Sequence, residues 1–216
     1  MSSTHVVTQG EHLSCIAAEY GFHDYAVIWN DANNAQVKSD RQNPNVLFPG
    51  DSLYIPDKEH KQEPGATSKR HTFEVKQQTL KLRLVLEDIY EKPIANASCT
   101  LTVEQEQFQL TSDSQGKIEH EISPSAQSCT LVIKGDQTPY QGQTLTIKIG
   151  HLDPIDSQSG QRARLNNLGY LAGNSDDPND PHFLSAVEQF QCDQKITVDG
   201  DIGPATKAKL RQVHGC

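Results

Sequence analysis

ITVDGDIGPATKAKL, residues 196–210, is the stretch from which the C-terminal third of the chain can be read. A polar turn from Asp199 to Gly203 gives way to Gly203-Pro204. Proline suits the first helical position because its ring fixes φ near the helical value and its missing N–H would have no partner there anyway. Ala205, Ala208, Leu210 and Val213 then carry the apolar side of that helix. Working toward the N-terminus, Asp180-Pro181 repeats the device ahead of Phe183, Leu184, Val187 and Phe190, which form one apolar stripe. Asp156-Ser157 caps an earlier helix, in which Arg162, Leu165 and Leu168 run to a stop at Gly169-Tyr170. Three helices around a small core are expected over residues 151–216.

Upstream, the period changes from that of a helix to that of a strand. LKLRLVLED, ASCTLTVEQEQFQLTSD, KIEHEI, CTLVIKG and LTIKIG alternate apolar and polar residues between Gly, Pro, Asp and Ser turns. This pattern predicts an antiparallel β-sandwich over residues 71–150. Residues 57–70, DKEHKQEPGATSKR, are dense in charge and lack apolar periodicity, the composition of a solvated linker. Ahead of it, His5 to Thr8 reads as a strand, and Leu13, Ile16, Ala17 and Tyr20 as a helix stopped by Gly21. Asp24 to about Ala32 reads as a second helix, and Leu53 and Ile55 as a closing strand. The expected organisation is multidomain α+β: a βααβ domain over 1–56, the linker, a β-sandwich over 71–150 and a helical domain over 151–216.

With 28 Asp plus Glu against 19 Lys plus Arg, the chain carries a formal charge of -9. That field repels nucleic acid and anionic lipid, so neither is an expected partner. The opening MSSTHVVTQGEH lacks the basic start and apolar run of a secretion signal, and no stretch approaches the ~20 apolar residues of a bilayer span. The expectation is a product that is cytoplasmic as synthesised, with export left to a dedicated secretion machine. The five cysteines are scattered without a CxxC pair, which favours reduced thiols. Cys99 and Cys129, both in strand-like runs, are the two that could pair in an oxidising space.

HVVTQGEHLSCIAAEYG, then IWNDANN, then NPNVLFPGDSLYIP, together resemble the LysM family across the whole first segment. Gly10, Glu11, His12 and Leu13 stand where that family carries Gly-Asp-Thr-Leu, and Asn43 to Pro56 fits its closing pattern closely. The resemblance implies a shallow groove between the turn at Gly10 and the turn at Pro49-Gly50. In such a groove backbone groups would bond the amides and hydroxyls of an N-acetylglucosamine chain, and Leu47 or Phe48 would support its methyls. Carried over by position, the glycan contacts are Gly10, Glu11, His12, Leu13, Asn45, Val46 and Leu47. With both of its turns present, this segment is expected to make most of the contact with a peptidoglycan or chitin-like glycan.

GQRARLNNLGY, FLSAVEQFQ and above all ITVDGDIGPATKAKL resemble the peptidoglycan-binding domain family of three-helix modules. GNSDDPNDPH replaces the earlier Val-Asp-Gly turn usual in that family. The retained turn, Asp199, Gly200, Asp201, Ile202, Gly203, Pro204 and Thr206, is where the resemblance places ligand contact, with Tyr170 as a stacking surface. The middle segment looks like the small transthyretin-like or Ig-like β-domains of bacterial proteins. KIGHLDP leading into a peptidoglycan-binding-like module is similar to proteins associated with type VI secretion and related contractile injection systems, which implies spike or effector proteins as partners.

No catalytic apparatus is legible. Hydrolysis of peptidoglycan needs paired carboxylates or a metal with His and carboxylate ligands, and none of the nine histidines forms an HExxH-like cluster. Val213-His214-Gly215-Cys216 echoes the His-Gly-Cys of L,D-transpeptidases without a catalytic domain around it, and Asp199-Gly200-Asp201 lacks the further oxygen ligands of an EF-hand. The expected product is therefore a non-catalytic glycan binder without cofactor or metal. The alternative is a cytoplasmic adaptor or chaperone that turns wall-binding folds to protein contacts with a secreted effector or spike.

Overall fold

A computed structural model describes residues 2–58, 64–72, 79–88, 90, 92–134 and 142–216. Residues 59–63 of the expected linker, and 73–78 and 135–141 of the expected sandwich, lie outside the described residues. Three buried apolar clusters form, each drawn from one segment of the chain. No helix among the described residues is long and apolar enough to cross a membrane.

In the first segment, β1 (Ser3–Val6) pairs antiparallel with β2 (Ser52–Ile55), His5 opposite Leu53. Helix α1 (Leu13–Glu19) begins where His12 accepts the Cys15 N–H, and it buries Leu13, Ile16 and Ala17. The single helix expected over 24–32 is instead α2 (Ala26–Trp29), a 3-10 turn (Ala32–Asn34) and a further helix α3 (Ala35–Arg41). Asn34 is the reason. Its fully buried amide donates to the Ile28 and Tyr54 carbonyls and accepts from the Tyr54 N–H, tying the break between helices to β2. Helix α3 buries none of its residues, so it carries no apolar stripe by which to be recognised.

The middle segment folds into antiparallel sheets, as its alternation predicts. Strands β3 (Leu80–Val85) and β6 (Lys117–Ile122) pair with each other. Strands β4 (Ser98–Val103), β5 (Glu106–Thr111), β7 (Ser128–Lys134) and β8 (Thr144–Lys148) form a second sheet in the order β5-β4-β7-β8. Ile118 and Ile122 of the first sheet share one core with Leu101, Leu131 and Ile133 of the second. Register corrects the idea that Cys99 and Cys129 could pair. Cys99 lies opposite Ile133 and Cys129 opposite Val103, so the thiols are offset by four positions on adjacent strands, ~13 Å along the chain direction. That offset exceeds the reach of a disulfide, and both thiols are free and buried.

The third segment carries α4 (Gln158–Asn167), α5 (Pro181–Asp193) and α6 (Pro204–His214). Ser157 caps α4 by accepting the Gly160 N–H, Asp180 caps α5 from the His182 N–H, and Pro204 opens α6. Leu165, Val187, Phe190 and Leu210 meet at the centre, each essentially without solvent contact. Gly160 is required where it stands, because a Cβ there would collide with the Asp153 and Pro154 carbonyls.

The first and third segments touch. Gly150, at φ +76°, lies against the Gly10 carbonyl so closely that a Cβ would collide with it and crowd the His12 ring. Gly10 in turn lies under the His151 ring. Longer polar contacts flank this joint, Gln9 Nε2 to Asp153 Oδ1 at 3.4 Å and Arg211 Nη1 to Gln42 Oε1 at 3.4 Å.

Asn34→Ala should lower the stability of the first segment by about 2–4 kcal/mol, because it strands the buried Tyr54 N–H and two carbonyls. Trp29 is the one tryptophan of the chain and is buried in the first core, so its fluorescence during urea unfolding reads that segment alone. Its transition should move to lower urea while the circular dichroism of the sheets stays in place.

Candidate functional site

The turn at 199–206 is built around Gln191, a side chain with no solvent exposure near the end of α5. Its Oε1 accepts the Asp199 and Gly200 N–H groups, both at 3.0 Å. Its Nε2 faces Asp199 Oδ1 at 2.7 Å, the Asp201 carbonyl at 2.8 Å and Thr206 Oγ1 at 3.1 Å. The Asp201 N–H closes on Asp199 Oδ1, and this bond, with that from Gln191, holds the Asp199 carboxyl below its ordinary range. Asp199, Gly200, Asp201, Ile202 and Thr206 are thus brought together in one preformed loop, with Thr206 buried and Ile202 packed on the core. Tyr170 does not join them as a stacking surface. It is 7% exposed and lies edge-on to Phe190 at 5.5 Å, a core aromatic whose ring face is unavailable to a sugar.

Of the residues expected to line a groove in the first segment, His12, Leu13, Val46 and Leu47 are buried. His12, 2% exposed, spends Nδ1 on the cap of α1, which requires a neutral ring. Burial pushes its pKa down, and a bond with Asn45 only partly offsets this. Glu11 folds back. Burial would raise its carboxyl, but the Thr8 N–H at 2.6 Å and His5 at 3.0 Å outweigh that and lower it. Asn45 accepts from Ser14 Oγ at 2.9 Å. Gly10, the first residue of the expected groove, is covered by His151. The end of the turn that was read as open is therefore occupied by the chain's own 150–153 stretch.

A polar groove that sequence reasoning did not find lies between α4 and residues 174–176, lined by Gln158, Ser159, Arg162, Asn166, Asn174 and Ser175. Positions 158, 159, 162 and 166 fall on one face of the helix, the pattern that could have revealed it. Gln158 and Asn166 anchor the opposite wall by donating to the Asp177 and Gly173 carbonyls at 3.0 and 2.8 Å. Buried Arg162 pairs with Asp180 at 2.8 Å, bonds the Ala172 and Asp177 carbonyls and stacks over Phe183 at 4.5 Å. The acidic GNSDDPNDPH stretch is thereby an ordered wall.

His214 Nδ1 lies 3.1 Å from Cys216 Sγ, and Asn167 Nδ2 lies 3.1 Å from His214 Nε2. Burial pushes the thiol up and, with Arg164 adding to it, holds the imidazole down at about 4. At neutral pH the two are an uncharged thiol and imidazole, the opposite of an activated thiolate pair. Among the described residues, no three His, Cys, Asp or Glu side chains converge to hold a metal.

Residues 162–210 match the family model described as "Putative peptidoglycan binding domain". The match runs from Arg162 to Leu210 and so takes in one wall of the polar groove and the whole Gln191-centred turn. No curated protein and no solved structure matches the chain.

His12 has a folded pKa below its unfolded value of 6.5, so the unfolded chain binds the extra proton first and stability falls as pH drops below about 6.5. The Trp29 transition in urea should therefore move to lower denaturant between pH 7 and pH 4.5. His12→Asn keeps a capping acceptor without the titration and should flatten that pH dependence. An unchanged slope in the variant would show that another group sets it.

Proposed function

We propose that this chain is a non-catalytic binder of bacterial peptidoglycan, acting first through its third segment. The match of residues 162–210 carries this reading, and the polar groove beside α4 supports it. Its amides and hydroxyls offer both donors and acceptors, the chemistry that N-acetylglucosamine hydroxyls and acetamides call for. The LysM-like first segment then serves as a second module, and in the arrangement described its Gly10 to Leu13 turn is covered. The neutral His214–Cys216 pair favours binding over acyl transfer. We place the protein as an accessory that carries a secreted particle or effector, such as that of a contractile injection system, to the wall.

The covered turn favours a second reading, an adaptor whose wall-binding folds make protein contacts instead. Sedimentation with insoluble peptidoglycan separates the two. The full chain should pellet with the wall, and Asn174→Phe, a bulky change at an exposed groove position, should reduce the pelleted fraction at least fivefold without moving the unfolding transition followed by helical circular dichroism. Muropeptide profiles after overnight incubation should show no new reducing ends and no released peptide. A chain that stays in the supernatant would give the adaptor reading the lead.

A further inference from the structure

Two turns of the first segment, Gly10 to Leu13 and Asn45 to Leu47, carry every residue at which the resemblance places a sugar in that segment. The Leu13 N–H, bonded to the Pro44 carbonyl at 3.1 Å, holds the two turns side by side. One stretch of the chain's own backbone lies across both. At the first turn, Gly150 rests on the Gly10 carbonyl and beside the His12 ring, and His151 Nε2 stands 3.0 Å from the point that a Gly10 Cβ would take. At the second, Val46 is 7% exposed although it lies outside the apolar cluster of the first segment. It lines a cleft whose other wall includes Pro154 and Ile155. Residues 150–155 thus run where the ligand of this segment would.

What holds this cover in place is weak beside what holds the parts that it joins. Among the described residues no main-chain hydrogen bond crosses the joint, and the side-chain bonds across it, Gln9 to Asp153 and Gln42 to Arg211, are both 3.4 Å long. That length is past the range of a strong bond, and Gln9, Gln42 and Arg211 are exposed to water that competes for them. Arg41 and Asp156, both lining the cleft, are each paired within their own segment, with Asp51 and Lys207. Each segment also keeps its own apolar core, so parting the two opens neither core.

We propose that residues 150–155 are an autoinhibitory cover over the glycan-binding turns of the first segment, displaced when an N-acetylglucosamine chain takes their place. This rests on reading the first segment as a second glycan module, and adds that its site is gated. A ligand that binds only the open form has its affinity reduced by the open fraction, so the cover weakens binding without altering any sugar contact. The groove beside α4 is uncovered in the closed form, so the third segment meets the wall first. A polymer held at that groove presents its further sugars to the cover at high effective concentration, which drives the displacement.

The test uses the full chain, chitotetraose and insoluble peptidoglycan. Gly150→Ala sets a Cβ against the Gly10 carbonyl and keeps the joint from closing, and His151→Ala uncovers Gly10 without straining the backbone. Gly150→Ala should bind chitotetraose at least tenfold more tightly than wild type, and His151→Ala should tighten it by a smaller factor. In wild type, saturating chitotetraose should move the amide resonances of Gly10 to Leu13 and of His151 to Asp153 together, because the sugar enters as the cover leaves. An open joint in Gly150→Ala with affinity no higher than that of wild type overturns the cover. So do Gly10 and His12 resonances unmoved in Gly150→Ala, which would show a joint that accepts a side chain. His151→Ala that binds no more tightly overturns it however Gly150→Ala folds, as do wild-type shifts at 10–13 with none at 151–153. Chains that pellet with peptidoglycan while chitotetraose moves only residues around α4 remove the cover and leave the peptidoglycan reading. Chains that neither pellet nor bind chitotetraose remove both.

Discussion

Gly150 resting on the carbonyl of Gly10 is a backbone-to-backbone approach that leaves no volume for a side chain, and it sets how the first and third segments face each other. At φ +76°, Gly150 also adopts a conformation that other residues reach only with strain. The ring of His12 lies beside this contact and the ring of His151 above Gly10, so one turn of the first segment becomes a docking surface for the chain's own continuation. The covered turn follows from that single approach.

Within the third segment the organising groups are polar and buried. A guanidinium taken out of water is costly unless its N–H groups are bonded, so Arg162 and Arg164 are weak evidence for stability and stronger evidence for a specified arrangement. Arg162 uses an ion pair, two carbonyls and an aromatic face to hold the stretch between α4 and α5, while Arg164 gathers main-chain oxygens from before, within and after the helices. Gln191 does the same for the turn ahead of α6 with a neutral amide. The groove and the loop are thus held by side chains behind them, and their surface residues are left for other contacts.

What was legible in the sequence was local. Caps at Ser157 and Asp180, prolines at 181 and 204 and the stop at Gly21 act through neighbours a few residues away, and strand alternation needs nothing beyond a two-residue period. What was not legible depended on partners distant along the chain. Asn34 looks like a loop residue until Tyr54 comes beside it. His12 reads as an exposed turn residue until the α1 cap and Gly150 enclose it. Tyr170 becomes a core ring only once Phe190 is in place, and strand register, not alternation, separates Cys99 from Cys129. For the candidate site, ITVDGDIGP pointed to the loop, whereas its organiser Gln191 and the groove beside α4 emerge only from the packing of helices.

The joint also gives the chain a topology. Gly10 and Gly150 are adjacent in space but roughly 140 residues apart, so the linker and the entire β-sheet segment form an excursion that departs from and returns to one place. The entropy of closing such an excursion grows only with the logarithm of its length, so halving it changes the cost by about 0.6 kcal/mol. The two flanking segments therefore behave as halves of one platform into which the sheets are inserted. On such a platform the insert can vary in size, or be exchanged for another folded unit whose ends lie close together, with little thermodynamic penalty to the docking that it interrupts.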